Sequence, residues 1–136
     1  MKIEYQQNPN NIDIEIITNG LIRFAKEKKK LEPIESFAFF IRNKNKIVGG
    51  CNGALFYGSC HIDQLWIAKE YRKQGFGRQI ICEIEKLARS KKCLLITVNT
   101  MDWEALDFYK HFGFIVDFER KGYAHNSTLY FLKKII

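Results

Sequence analysis

The sequence predicts an α+β fold, and three observations carry that prediction. Apolar residues recur at helical spacing over residues 14–25 and again over 80–88. Between those stripes, apolar runs are broken by turn residues and follow one another as in an antiparallel meander. A third helical segment then precedes two closing strands, giving the order β-α-β-β-β-α-β-α-β-β and a sheet with helices packed against it.

Taken in order, "KIEYQ" (2–6) reads as a short first strand. A helix follows from Asn10, with Ile14, Ile17, Leu21, Phe24 and Ala25 on one side. It runs out in "KEKKK" (26–30), where cations suit the negative end of the helix dipole. Two apolar runs flank "RNKNK" (42–46) and a third begins after "YGS" (57–59), which marks three strands. Ile80, Ile81, Ile84, Leu87 and Ala88 form the stripe of a second helix over 78–90. "CLLITV" (93–98) is a continuous apolar run, as expected of a buried central strand. "DWEALDFYKHF" (102–112) reads as a helix with Asp102 as its N-cap. "GFIVDFER" and "STLYFLKKI" close the sheet.

With 136 residues and no linker, repeat or low-complexity tract, residues 1–136 are read as one domain. The formal charge of +7 points to an anionic partner without naming it: nucleic acid, an acidic membrane surface and a phosphorylated cofactor all fit. The four cysteines, Cys51, Cys60, Cys82 and Cys93, form no C-x-x-C pair and no zinc-like cluster, so they read as reduced thiols and no metal is expected. No secretion-type apolar stretch opens the sequence, and no run reaches the ~18 apolar residues of a membrane span. The expectation is a soluble, cytoplasmic protein.

The segment "YRKQGFGR" (71–78) stands between a strand over 60–68 and the second helix. Backbone N–H groups at a helix N-terminus lack intrahelical partners, and glycines let the chain close round an anion without Cβ interference. Arg72, Lys73 and Arg78 add positive charge. The P-loop pattern is absent, and the dinucleotide fingerprint fails because its third glycine position holds Ile80.

"RKQGFG" (72–77) resembles the R/Q-x-x-G-x-G/A signature of the GCN5-related N-acetyltransferases, the GNAT family. "IDQLWIAKEYR" (62–72) is similar to that family's fourth strand, and "ALDFYKHFGF" (105–114) to its A-x-x-[LF]-Y-x-x-x-G-F segment. The resemblance implies a mixed, mostly antiparallel sheet of about six to seven strands flanked by helices. It also implies acetyl-CoA as cofactor, held by Arg72, Lys73, Gln74, Gly75, Phe76, Gly77 and Arg78 together with Leu65, Trp66 and Ile67 of the strand. Seven residues before Tyr109 the family has an asparagine that contacts the cofactor; here that position is Asp102, whose charge is a poor neighbour for phosphates, and Asn99 is the candidate to substitute for it.

Attack of an amine on a thioester needs a neutral amine, a stabilised oxyanion and a protonated thiolate. His61 and Asp63, two apart on a strand, can look toward one pocket as the base pair. A histidine with an ordinary pKa near ~6.5 suits a base at neutral pH; Asp63 would orient it or relay the proton through water. The resemblance makes Tyr109 the acid that protonates the thiolate, and gives the oxyanion a backbone N–H around Leu65 to Ile67. It places Tyr123 and His125, between the last two strands, at the acceptor pocket. The function expected is direct acetyl transfer to a primary amine of a small molecule in a ternary complex. Acetylation of a protein or aminoacyl-RNA amine is the alternative within the family. A basic nucleic-acid-binding module or a non-catalytic CoA-binding scaffold are the alternatives outside it. A homodimer stays open.

Overall fold

The structure is a computed structural model describing residues 1–136. The chain forms two compact units, Met1–Ile34 and Glu35–Ile136. In the first, residues 1–10 have no regular structure, so the strand expected over 2–6 does not form. No other strand pairs with it, and its exposed backbone groups are left to water. Helix α1 spans Asn11–Lys29. Asn10 caps it by accepting from the Ile12 N–H at 3.0 Å, and Lys30 ends it in the left-handed region, its N–H donating to the Lys26 carbonyl.

The second unit is a six-stranded sheet with two α-helices. Its elements are β1 (Glu35–Asn43), β2 (Lys46–Phe56), β3 (Ser59–Ile67), α2 (Phe76–Ser90), β4 (Leu95–Met101), α3 (Leu106–His111), β5 (Ile115–Tyr123) and β6 (Ser127–Ile135). The spatial order is β1-β2-β3-β4-β6-β5, antiparallel throughout except for the parallel β3–β4 pair. Helix α2 connects those two parallel strands, as a crossover must. Its Ile80, Ile81, Ile84 and Ala88 pack with Cys51, Leu55, Cys60, Ile62, Ile96, Val98 and Leu132 in one apolar core. The opposite side of the sheet, the outer face, carries His61, Gln64 and Trp66 of β3, register partners of Ala54, Asn52 and Gly50.

Two features differ from the sequence-based expectation. Helix α3 starts at Leu106, not Asp102. The Asp102 backbone N–H donates to the Thr128 carbonyl, and its Oδ1 accepts from the Thr128 N–H at 3.3 Å, so Asp102 extends the β4–β6 ladder. Glu104 folds back to accept from the Met101 N–H, and the Thr100 hydroxyl accepts from the Ala105 N–H. Ala105 is the residue at the cap position, with no side-chain cap.

Strand β3 is also irregular. Asn52 pairs with Gln64 and Gly53 with Ile62, leaving Asp63 without a partner on β2. This is a β-bulge, which bends the strand and shifts its face alternation by one residue. Gly53 lies against it, and a Cβ there would sit 1.9 Å from the His61 carbonyl oxygen and 2.8 Å from the Phe37 ring. Gly53→Ala is therefore expected to destabilise the protein by about 3 kcal/mol. Thermal unfolding checks this; an unchanged Tm would mean the bulge is free to shift.

Candidate active site

Strands β3 and β4 pair only from Ser59/Leu95 to Ile62/Val98. Beyond that point β3 stays on β2 as far as Ile67, and β4 stays on β6 as far as Met101. The facing edges, Asp63–Ile67 and Asn99–Met101, are thus unpaired with each other, and the sheet opens along this line. The bulge at Asp63 falls where the opening begins, consistent with its bending β3 away. The Ala68 N–H donates to the Val48 carbonyl toward β2. Alternation along the strand then turns the N–H groups of Leu65 and Ile67 toward the opening.

At the same end of β3 the chain passes a 3-10 turn (Lys69–Tyr71) and enters the segment before α2. Arg72 Nε donates to the Ile67 carbonyl at 2.8 Å, tying the loop to the strand. The Gln74 amide donates to the Glu70 carbonyl at 2.8 Å, closing the loop on itself. Lys73 and Gly75 take positive φ, 58° and 89°. The first N–H of α2 with a partner is that of Gln79, which donates to the Gly75 carbonyl. The N–H groups from Lys73 to Arg78 have no acceptor within the protein. A Cβ at Gly75 would meet open space, whereas one at Gly77 would press on the Phe108 ring at 2.7 Å. Gly75 therefore serves the turn, and Gly77 the close approach of α2 to α3. The Arg78 guanidinium lies over the Phe112 ring, 5.2 Å from its centroid. Unsatisfied amides in a row at a helix N-terminus, with cations beside them, fit a pyrophosphate group.

The structure brings His61, Asp63 and one further residue together on the outer face. His61 Nε2 lies 3.7 Å from Asp63 Oδ1, and Nδ1 lies 2.7 Å from the Thr97 hydroxyl of β4. His61 is three-quarters buried at its side chain and Asp63 about half. Thr97 was not singled out by sequence reasoning. It sits inside an apolar run, and only the parallel register His61↔Thr97 reveals it. Tyr109 lies on the opposite side, in the core, 4% exposed, with its ring edge-on to Phe108 and Phe114. Burial is the main cause pushing its hydroxyl well above the ordinary tyrosine range, with the neighbouring Cys51 and Glu104 acting in the same direction. Tyr109 therefore stays protonated at physiological pH.

The remaining expected residues are dispersed. Trp66, paired with Gly50, stands on the outer face and is 56% exposed, so its indole points away from the core helices. Asn99 is exposed on β4 opposite Phe131, and Asp102 is held by Thr128. Tyr123 and His125 are exposed in the β5–β6 connection, His125 at φ 55°. Because Ser127 lies past the register partner of Met101, that connection sits at the end of the sheet where β3 and β4 diverge.

The buried thiols are unreactive by the same physics as Tyr109. Burial raises Cys51 to about 11 and Cys60 to about 12, so neither is a thiolate nucleophile near neutral pH. These raised values fix a stability trend. The unfolded chain releases these protons above the ordinary thiol value near ~9, while the folded chain holds them to higher pH. The native state then binds more protons than the unfolded state, so stability falls as pH rises. A Tm declining steadily from pH 9 to pH 11 is the expected result; a flat profile would show that the thiols ionise without unfolding.

Known proteins share this chain's sequence pattern and its fold. The family model for the acetyltransferase (GNAT) domain matches residues 35–116. Blasticidin-S acetyltransferase of Streptomyces morookaense is 28% identical over 104 residues, 75% of this chain and 76% of that protein. The crystal structure of an acetyltransferase from Bacillus cereus ATCC 14579 superposes with a TM-score of 0.79 at 28% identity, covering 98% of each chain. A Bacillus anthracis protein solved in complex with acetyl coenzyme A shares the fold, with a TM-score of 0.68 at 16% identity over 74% of this chain and 63% of that one.

Proposed function

We propose, since this chain belongs to the GNAT acetyltransferase family and its donor is acetyl-CoA, that it acetylates the primary amine of a small molecule by direct attack. The carrying observation is the opening between β3 and β4, which has the partnerless amides of Lys73–Arg78 at its end and His61, Asp63 and Thr97 beside it.

In this reading the Lys73–Arg78 amides hold the pyrophosphate, and the facing edges of β3 and β4 take the extended arm. Bound acetyl-CoA supplies a thioester carbonyl as electrophile. His61 works as base in the tautomer whose Nδ1–H donates to Thr97 Oγ1, because that leaves Nε2 free to take the amine's proton. Once His61 carries that proton, the Asp63 carboxylate is placed to pair with it. The N–H groups of Leu65 and Ile67 face the opening and meet the negative charge that develops on the carbonyl oxygen. Tyr109, protonated by burial, delivers the proton the thiolate needs. No cysteine takes part.

A small acceptor is supported by the relative named blasticidin-S acetyltransferase, which the chain matches over 76% of that protein's length. The test is a thiol-release screen with acetyl-CoA over small amines, peptides and aminoacyl-RNA. Turnover confined to small amines is the expected result, and turnover confined to peptide or RNA amines would overturn it. Acetyl-CoA alone should raise Tm by mass action.

A further inference from the structure

Two carboxylates reach the outer face from bulges. Asp63 is the unpartnered residue of β3. On β5 the register passes from Val116↔Leu132 to Phe118↔Phe131, which leaves Asp117 unpartnered in the same way. Between them runs one row of register partners, His61 of β3, Thr97 of β4 and Lys133 of β6. Residues in register stand on one face of a sheet, so these three side chains share the outer face. A carboxylate closes the row at each end. Asp63 Oδ1 lies 3.7 Å from His61 Nε2, and Asp117 Oδ1 lies 2.7 Å from Lys133 Nζ. The transfer chemistry above uses His61, Thr97 and Asp63, and gives Lys133 and Asp117 no task.

Neighbouring strands lie ~4.8 Å apart, so Lys133 stands roughly 9.6 Å from His61 across Thr97. Over that distance, at an effective dielectric between about 20 and 80, one unit charge moves a titration midpoint by about 0.3 to 1.3 pH units. Asp117 removes most of that influence in two ways. It cancels the charge, and from the edge strand β5 it draws the ammonium away from Thr97. No other charge stands so near His61 apart from Asp63. On β2 its neighbours are Ala54 and Phe56, whose ring centroid lies 6.4 Å from that of the imidazole, and β1 brings Ser36 opposite Ala54. Glu35 of β1 is paired with Lys91, and β4 presents Thr97 and Asn99. Arg120 of β5 is stacked on Phe118 and Phe131, farther along the sheet, where β5 pairs with Leu129.

We infer that Lys133 and Asp117 are positioning residues for the base, an ion pair that keeps the Lys133 charge from opposing protonation of His61 and so sets the pH range in which His61 accepts the amine's proton. This rests on His61 as the base in the reading above. On taking the proton His61 becomes a cation, and a free ammonium two strands away opposes that step. With Asp117 in place, the proton arrives beside a neutral pair, and Asp63 is its counter-charge.

The test changes one end of the pair at a time, at low ionic strength, because the Debye length at 0.1 M salt is only ~10 Å. Asp117→Asn frees the Lys133 charge, which disfavours the imidazolium, so the acidic limb of the pH–rate profile moves to lower pH. Lys133→Met leaves the Asp117 charge, which favours the imidazolium, so the limb moves to higher pH. Shifts of about half a pH unit in opposite directions are expected, and the double variant returns close to the parent. A second readout needs no turnover. The histidines are His61, His111 and His125, and the NMR titration of the His61 ring, assigned by its loss in His61→Ala, moves in the same two directions. Opposite NMR shifts with an unmoved limb support the pair and count against His61 as the base. An NMR titration that stays put, or that moves in one direction for both single variants, overturns the pair's role while leaving the acetyltransferase reading intact.

Discussion

Replacing Tyr109 with Phe is expected to lower kcat by about a hundredfold or more, the range for loss of a positioned acid, with acetyl-CoA binding and Tm little changed. The ring that packs edge-on against Phe108 and Phe114 is kept, so the apolar contacts survive. What is lost is one hydroxyl that burial holds in its protonated form. A thiolate leaving without a donor must take its proton from water, which the buried surroundings of Tyr109 restrict. The measurement is steady-state thiol release at saturating acetyl-CoA, alongside the thermal shift produced by acetyl-CoA on both proteins. A kcat equal to that of the parent would remove Tyr109 from the acid role. A lost thermal shift would mean that the hydroxyl holds the cofactor instead.

The second large effect is expected at His61. His61→Ala removes the ring that links Thr97 to Asp63 and should reduce kcat by about two to three orders of magnitude at neutral pH, with KM for acetyl-CoA nearly constant. The acidic limb of the pH–rate profile should flatten, because the group whose protonation disables the reaction is gone. Thr97→Val separates positioning from chemistry. It takes away the acceptor for Nδ1–H, so the tautomer with a free Nε2 loses its support, and a smaller fall with the acidic limb retained is expected. If His61→Ala keeps both its rate and its limb, the base is Asp63 or a water, and the cluster on the outer face is structural.

The loop from Arg72 to Arg78 was legible in the sequence because its chemistry is local. Glycines, cations and a helix start within seven residues suffice to define an amide cradle, and nothing distant is needed to build it. Tyr109 was singled out only through the resemblance of residues 105–114 to a family segment, and its burial between Phe108 and Phe114 came from packing. The reading of helix 102–112 overran, since Asp102 is a good cap by residue type but is bonded by Thr128, twenty-six residues away. The strand over 2–6 failed because a strand is a relation between two segments, and β propensity in one of them does not supply the other.

By itself the sequence determined the α+β class, the order of helices and strands from residue 11 onward, and the glycine turn that opens α2, since each follows from periodicity or from neighbouring residues. Only the tertiary structure decided where β3 and β4 part, that Asp63 is bulged, that Thr97 holds His61, and that Lys133 and its partner Asp117 stand beyond Thr97. These are matters of strand register. A shift of one residue would turn every side chain on a strand to the other face, and register is set by the packing of α2 and by the bulge beside Gly53, neither of which any short stretch of sequence encodes.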